Sequence, residues 1–218
     1  ELDRNSMASQ SMLAHNPGDS LFLEYINSLG VEDPFAVPHS LVAQVTLYPE
    51  RFARENGYYV YTLGNGKVLY AGANGCAFRK EVFNTIGGYT REVDVFAAMA
   101  NYGMKVAVTP KARVNHNTSG SLLDFMAKKG RYFRGFFKSG YKHRQYRWVD
   151  RGLRGKVVFA LQVAYNLSII GPLLLGVRQA ARTGKRVWLL HPFYVFFITL
   201  EYLTIGLFNT RTFFSYAR

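Results

Sequence analysis

The chain has 218 residues, of which 49% are apolar and 16% aromatic, so it has enough apolar surface for a folded core and is not intrinsically disordered. Its 27 basic and 14 acidic residues give a formal net charge of +13. The single cysteine, Cys76, excludes an intrachain disulfide and a paired-cysteine zinc or redox site.

The positive charge is concentrated in one segment. Residues 1–127 carry 10 basic and 12 acidic side chains, residues 128–156 carry 11 and 1, and residues 157–218 carry 6 and 1. The first twenty residues contain no apolar run of the signal-peptide type. Because the chain also lacks an initiator Met, we expect it to be a fragment of a longer protein.

The soluble part, up to about residue 125, predicts a mixed α/β fold. Leu41–Leu47 is predicted as a short apolar strand. Tyr58–Thr62 and residues 68–71 are predicted to pair as a hairpin around the turn Gly64-Asn65-Gly66.

Two helices, a strand and a third helix are predicted next. Residues 78–83 favour a helix that stops at Gly87-Gly88. Residues 93–102 have apolar side chains at helical spacing and are followed by Gly103 as a C-terminal cap. Residues 104–108 are predicted as a strand that ends at Pro110.

The third helix has its own start signal. Ser121-x-x-Asp124 predicts a capping box, and the helix is expected to run toward Phe137. It enters the basic, aromatic stretch.

The C-terminal region contains two long apolar runs. Residues 157–177 are uncharged and, at about 1.5 Å per residue, long enough to cross a ~30 Å hydrocarbon layer. Residues 187–208 are interrupted only by His191, Pro192 and Glu201. We expect a helical hairpin in a membrane preceded by a basic collar, with the buried core of a soluble protein as the alternative.

Both flanks of the first run are basic, which leaves the topology open. A positively charged flank favours the cytoplasmic side. Because both flanks cannot lie on that side of a simple span, a re-entrant or interfacial hairpin broken at Gly171-Pro172 and His191-Pro192 competes with true crossing.

Four features between residues 72 and 135 are candidates for chemistry. Gly72-Ala73-Asn74-Gly75 follows a predicted strand and would let backbone approach a ligand, although most such loops are turns. Glu92 and Asp94 lie at a helix start, where carboxylates either cap the helix or hold a general base.

The other two features are an imidazole and a cationic block. His116 follows the last predicted strand and is a metal ligand or a hydrogen-bonded structural residue. Residues 128–135 alternate cations with aromatics, so they could bind a diphosphate or lie among anionic headgroups. Nucleic acid is a third possible anion, but the adjoining apolar runs favour lipid.

In order, these motifs resemble the C-terminal half of membrane-associated family 2 glycosyltransferases with the GT-A fold, over roughly residues 40–137. The series comprises Gly72-Ala73-Asn74-Gly75-x-x-Phe78-Arg79, Ile86-Gly87-Gly88-Tyr89, Glu92 with Asp94, Gly103, Pro110, Val114-x-His116 and Arg131-Tyr132-x-Arg134-Gly135.

The resemblance implies roles for these residues. The loop Gly72, Ala73, Asn74, Gly75 would line the sugar and acceptor site. Glu92 stands where the family has its aspartate base, with Asp94 as the following acidic residue. His116 would help to hold Mg²⁺ or Mn²⁺.

The resemblance extends only in part to the basic block and to the N-terminus. Arg131, Tyr132 and Arg134 would bind phosphate oxygens of donor or lipid, with Tyr132 where processive synthases have Trp. The N-terminal nucleotide-binding half with its Asp-x-Asp is apparently missing, and Asp3 in Glu1-x-Asp3 is a candidate remnant. Glu24 is a weaker one.

Three regions are therefore expected: a partial GT-A catalytic region (1–137), a basic juxtamembrane collar (138–156) and a membrane-associated helical hairpin (157–218). The implied reaction is inverting transfer of a sugar from a nucleotide-sugar donor to a glycan or polyprenyl-lipid acceptor, at the cytoplasmic face of a membrane. The implied partners are the donor, the acceptor and membrane lipids, without nucleic acid. The alternative is a non-catalytic membrane-surface module that binds anionic lipid or a partner.

Overall fold

The computed structural model describes residues 6–14, 16–64, 69, 75–89, 92–116, 119–135 and 152–208. These residues form a mixed α/β structure containing a five-stranded mixed sheet. The strands are β1 (Ala8–Ala14), β2 (Ala53–Glu55), β3 (Tyr58–Thr62), β4 (Cys76–Phe78) and β5 (Lys105–Asn115).

Eight α-helices and two 3₁₀ turns, Pro49–Arg51 and Arg186–Leu190, complete the described elements. The helices are α1 (Leu21–Leu29), α2 (Leu41–Leu47), α3 (Lys80–Ile86), α4 (Glu92–Ala100), α5 (Leu122–Gly135), α6 (Leu153–Leu167), α7 (Ile170–Thr183) and α8 (His191–Phe208).

The chain divides into two compact units. Unit 1 contains Glu1–Pro17 and Ile26–His116, and unit 2 contains Gly18–Tyr25 and Asn117–Arg218. Helix α5 thus belongs to unit 2, whereas the expected catalytic region extended to residue 137. The predicted collar, residues 138–156, lies almost entirely outside the described residues.

The sheet of unit 1 has the strand order β2-β3-β5-β1-β4. Strand β5 pairs in parallel with β1 and antiparallel with β3, and β4 adds antiparallel to the other side of β1. The middle of β5 is buried at Val106, Ala107 and Val108. Strand β1 was not predicted from the sequence, although it lies between two other strands.

Strand β5 continues past Pro110, so the predicted end at that residue is wrong. Thr109 pairs with Ser11 and Arg113 pairs with Met12, which leaves residues 110–112 in a bulge. A bulge accommodates proline because its missing N–H is not needed in the ladder there.

The predicted strand Leu41–Leu47 is helix α2. The hydroxyl of Ser40 accepts a hydrogen bond from Ala43 N at 3.3 Å and caps the helix. Six of its seven residues are buried, so the short apolar run has no polar face whose period distinguishes helix from strand.

The remaining predictions for unit 1 hold in part. Strand β3 is confirmed, and most of its predicted partner, residues 68–71, lies outside the described residues. Helix α3 begins at Lys80 rather than residue 78, because residues 76–78 form β4, and it ends at Gly87 as predicted. Helix α4 is confirmed, with Gly103 at φ +59° beyond it.

The capping box of α5 is confirmed in unit 2. Asp124 N donates to Ser121 Oγ at 3.2 Å, and Ser121 Oγ donates to Asp124 Oδ2 at 2.7 Å. The helix is described as far as Gly135.

The apolar run 157–177 is not one straight helix. Helices α6 and α7 are bent by 71° relative to each other, and Ile169 at the break has φ +61°. Pro172 lies in the first turn of α7, where its missing N–H is tolerated. A break close to Gly171-Pro172 is therefore confirmed.

The second apolar run forms a helix long enough to cross a membrane. Arg186–Phe208 spans 23 residues and is long and apolar enough to cross a membrane, judged by its length and composition. It changes from a 3₁₀ turn to an α-helix at His191, next to the predicted break at Pro192.

We expect Gly30→Ala to destabilise the chain more than Gly57→Ala. Both glycines have positive φ (+77° and +87°), which costs an alanine about 1–2 kcal/mol. At Gly30 an added Cβ would also lie 2.7 Å from Val42 Cγ1, whereas at Gly57 it meets nothing within 4 Å. Overpacking adds about 1–3 kcal/mol. Urea unfolding of both variants checks this, and equal losses would contradict the packing argument.

Candidate functional site

The parallel strands β1 and β5 end at the same edge of the unit 1 sheet. Ala14 pairs with Asn115, and His116 follows directly. Ligands of open α/β sheets commonly bind beyond the carboxyl ends of parallel strands. His116 is thus at an edge where a binding site is expected.

His116 is held by an acidic residue that the sequence patterns did not single out. The Nε2 atom of His116 lies 2.7 Å from Oε1 of Glu32, and the two side chains are 21% and 22% exposed. Because an ionised carboxylate only accepts hydrogen bonds, this contact assigns a proton to Nε2 and makes Nδ1 the acceptor nitrogen of the neutral ring.

The loop that carries Glu32 has a defined conformation. It begins after Gly30, whose N–H donates to Ile26 O at 3.1 Å as the chain leaves α1. The next residue, Asp33, accepts a hydrogen bond from Phe35 N through Oδ1 at 2.9 Å. This Asx turn orders the backbone beside Glu32.

The end of the predicted glycine loop lies against the same strands. The carbonyl oxygen of Gly75 accepts hydrogen bonds from the N–H and the hydroxyl of Ser11, at 2.9 and 3.1 Å. An added Cβ at Gly75 would clash with Ser11 Oγ and lie 2.8 Å from Val114 Cγ2. The backbone therefore approaches β1 and β5 closely, and this position requires glycine.

The other loop residues, Gly72, Ala73 and Asn74, lie outside the described residues, as does Asp3. The structure therefore places Gly75 and His116 near one another through Val114, two residues before His116. The role of the remaining loop residues stays a prediction.

Of the two candidate catalytic carboxylates, only Asp94 has a side chain among the described residues. Helix α4 begins at Glu92, as predicted, but the side chain of Glu92 lies outside the described part of the chain. Asp94 is only 2% exposed. A carboxylate so enclosed contacts protein rather than solvent, so Asp94 is the weaker candidate for a base that must reach a substrate hydroxyl.

The cationic candidates belong to unit 2. Arg131 and Arg134 are exposed on α5, and Tyr132 is 62% exposed. Lys128 Nζ lies 5.9 Å from the Tyr132 ring centroid. Lys128, Arg131 and Tyr132 present cations and an aromatic ring to the surroundings, as anion binding requires, whereas Arg134 extends toward the face of α5 that carries Gly130.

The opposite face of α5 packs on α8. Gly130 is buried, and an added Cβ there would clash with Oε1 of Glu201 and lie 3.4 Å from Nη2 of Arg134. Phe133 stacks on Tyr202 with ring centroids 4.2 Å apart. Glu201, which interrupts the apolar run, thus lies between helices beside a cation.

Glu24, the weaker remnant candidate, lies on α1 and pairs with Lys185 at 3.8 Å. In the described part of the chain no three His, Cys, Asp or Glu side chains are grouped as a metal site requires. His116 and Glu32 alone therefore do not make a complete donor set for a metal ion.

Comparison with protein-family models and with curated proteins finds no match for this chain.

Sequence reasoning missed Glu32 and Ser11 for a shared reason. Glu32 lies 84 residues before His116, and Ser11 lies 64 residues before Gly75. Tertiary pairing at such separation leaves no local pattern. The acidic pair Glu32-Asp33 after a glycine was the visible signal for the first.

We expect Glu32→Gln and His116→Ala to be coupled. Each substitution removes one partner of the same partly exposed contact. The loss in free energy of unfolding of the double variant should therefore be about 1 kcal/mol smaller than the sum of the losses of the two single variants. Urea unfolding of the four proteins measures this. Glu55→Gln, an exposed acidic change on β2, is the matched control and should add independently to His116→Ala. If the stability losses of Glu32→Gln and His116→Ala were also additive, the contact between the two side chains would be contradicted.

Proposed function

We propose that this chain is part of a membrane-associated glycosyltransferase with a GT-A-type catalytic region. It would transfer a sugar from a nucleotide-diphosphate donor to a glycan or polyprenyl-lipid acceptor, with inversion. The ordered motifs of the sequence support the family, and the mixed α/β architecture of unit 1 is compatible with it.

One observation carries the proposal. Gly75 ends the glycine loop in a close approach to Ser11 of β1 and Val114 of β5, and Val114 lies two residues before His116, which contacts Glu32. A loop without room for a side chain beside an oriented imidazole is an arrangement suited to a bound polar ligand.

The proposed chemistry assigns the proton transfer to Glu92. Its carboxylate would take the proton from an acceptor hydroxyl as the sugar transfers, and the burial of Asp94 favours Glu92 over it. Arg131 and Arg134 would bind phosphate oxygens of the donor or of a lipid acceptor.

A divalent cation, Mg²⁺ or Mn²⁺, belongs to the proposal through His116 and not through Asp3, because Asp3 precedes β1, which enters the sheet at the edge opposite to His116. When bound, it would neutralise charge on the departing diphosphate. Glu32 would then orient His116 from the other ring nitrogen, as outer carboxylates commonly do for ligating histidines.

The membrane part of the proposal places the catalytic region on the cytoplasmic face. The helix Arg186–Phe208 is long and apolar enough to cross a bilayer. Basic residues flank the apolar runs, and such flanks favour the cytoplasmic side. Attachment there would raise the effective concentration of a lipid-borne acceptor.

A second candidate function is a non-catalytic membrane-surface module derived from such an enzyme. The enclosure of Asp94 favours it, as does the glutamate at the position where the family has its aspartate base. Such a module would bind anionic lipid or a partner through α5.

We expect Glu92→Gln to lower sugar transfer about 10²- to 10⁴-fold, the range for removing a general base. The assay follows nucleoside diphosphate release from a panel of nucleotide sugars with Mn²⁺, using the full-length protein in vesicles. Glu81→Gln changes an exposed carboxylate in the first turn of α3 and should leave the rate unchanged.

Equal rates for wild type and Glu92→Gln would remove Glu92 from the chemistry. Absence of transfer with every donor, from protein whose folding is verified, would favour the non-catalytic module.

A further inference from the structure

Helices α6 and α7 of unit 2 bury polar or small residues and expose many of their apolar side chains. Asn166 is the single buried residue of α6, and Gln179 on α7 is completely buried. On the outside, Leu161 is 65% exposed and Leu174 is 67% exposed. A water-soluble bundle has the opposite arrangement.

Two pairs of buried polar groups form hydrogen bonds across the helices of unit 2. Asn166 Nδ2 donates to Thr199 Oγ1 at 3.0 Å. The hydroxyl of Tyr25 shares a hydrogen bond of 2.7 Å with Nδ1 of His191, and both residues are buried. Interhelical hydrogen bonds inside, with leucine and phenylalanine outside, match a hydrocarbon solvent.

The exposed apolar side chains follow helical stripes. On α6 they recur every three to four residues, and they continue through the bend, on the first two turns of α7, in the 3₁₀ turn and along α8. They are Leu153, Val157, Val158, Leu161 and Tyr165, then Ile169, Ile170, Leu173, Leu174 and Val177, and finally Leu189, Phe193, Phe197, Leu200, Leu207 and Phe208.

The bend limits how far α6 and α7 reach into a bilayer. Their uncharged parts, residues 157–167 and 170–177, are about 16 and 12 Å long. Because α7 deviates by 71° from the direction of α6, these two parts place the ends of the pair about 23 Å apart, less than the ~30 Å hydrocarbon thickness. The bend itself lies only about 8 Å from the line that joins the two ends.

Both ends of the pair carry exposed cations. Arg154 and Lys156 precede the apolar part on α6, and Arg178 and Arg182 follow it on α7. The bend between them carries the apolar residues Ile169 and Ile170, which are 41% and 69% exposed. Cationic ends and an apolar apex complement the headgroups and the acyl chains of one leaflet.

We propose that α6 and α7 form a membrane wedge: the pair enters one leaflet of an anionic bilayer at its bend, with both cationic ends on the same surface and the apex about 8 Å deeper. The wedge rests on the membrane association proposed above and is independent of sugar transfer. It resolves the topology that the two basic flanks left open.

Counting labels on single molecules tests the wedge. Arg154→Cys and Ala181→Cys are combined in full-length protein that carries Cys76→Ser, and the protein is reconstituted into sealed vesicles of 70% phosphatidylcholine and 30% phosphatidylglycerol. A membrane-impermeant maleimide is added and labels are counted by mass spectrometry. The wedge predicts zero or two labels per molecule, whichever way the protein is oriented.

A matched pair serves as control. The double variant Ala181→Cys with Arg186→Cys has its two cysteines on either side of the short connection between α7 and the following 3₁₀ turn. Both cysteines therefore lie on the same side of the bilayer, and this variant must also give zero or two labels. One label per molecule for the 154/181 pair would mean that α6 and α7 together cross the bilayer, and would overturn the wedge while leaving membrane association intact.

The depth of the apex is measured separately with a nitroxide at Ile169→Cys, Arg154→Cys or Ala181→Cys. The oxygen-to-nickel accessibility ratio should be highest at Ile169. Equal ratios would indicate that the pair lies flat and would contradict the wedge. Failure to float with vesicles, together with a dimer in sedimentation, would assign the apolar face to a second copy of the chain.

Charge complementarity provides the last readout. Replacing Arg154 or Arg178 by Gln should weaken vesicle binding about fivefold each in 30% phosphatidylglycerol. The effect should vanish in pure phosphatidylcholine. Lys80→Gln, an exposed cation on α3 in unit 1, is the matched control. An equal loss for Lys80→Gln would remove the specific role of the wedge cations.

Discussion

The parallel pairing of β1 with β5 is the constraint on which the candidate site depends. This pairing sets where β5 releases His116, while the antiparallel pairing of β1 with β4 places Ser11 beside Gly75. The bulge at residues 110–112 keeps β1 and β5 in contact on both sides of Pro110. Without the pairing of β1 with β5, Gly75 would not approach Val114, which lies two residues before His116.

Unit 2 differs from unit 1 in the side chains that its helices expose. Its interior hydrogen bonds, such as that between Asn166 and Thr199, are satisfied within the protein. Its surface presents large exposed apolar side chains on α6, α7 and α8. One chain thus combines a sheet-based unit that has an apolar core with a helical unit that exposes many apolar side chains.

The sequence predicted elements whose ends carry specific chemistry. Gly87 and the Ser121 capping box marked the end of α3 and the start of α5 correctly, because caps are local interactions. Strand β1 was missed because it contains the polar residues Ser9-Gln10-Ser11, of which Gln10 and Ser11 are buried by tertiary pairing rather than by their own hydrophobicity. Helix α2 was misread because an apolar run of seven residues has no diagnostic period. The Asn56-Gly57 turn, a strong hairpin signal between β2 and β3, was overlooked in favour of a later glycine pair.

For the candidate site, the sequence supplied His116 but not the residue that decides how its imidazole can act. With Glu32 on Nε2, the lone pair of the neutral ring lies on Nδ1, so any proton acceptor, metal ligand or hydrogen-bond acceptor role falls to that atom. A carboxylate on the opposite nitrogen also fixes the orientation of the ring. The pair therefore suits a metal-holding histidine and a histidine that binds a substrate hydroxyl equally well. What distinguishes these two functions is a further carboxylate near Nδ1, and a metal-holding role requires one from a segment other than the residues before β1, because β1 enters the sheet at the edge opposite to His116.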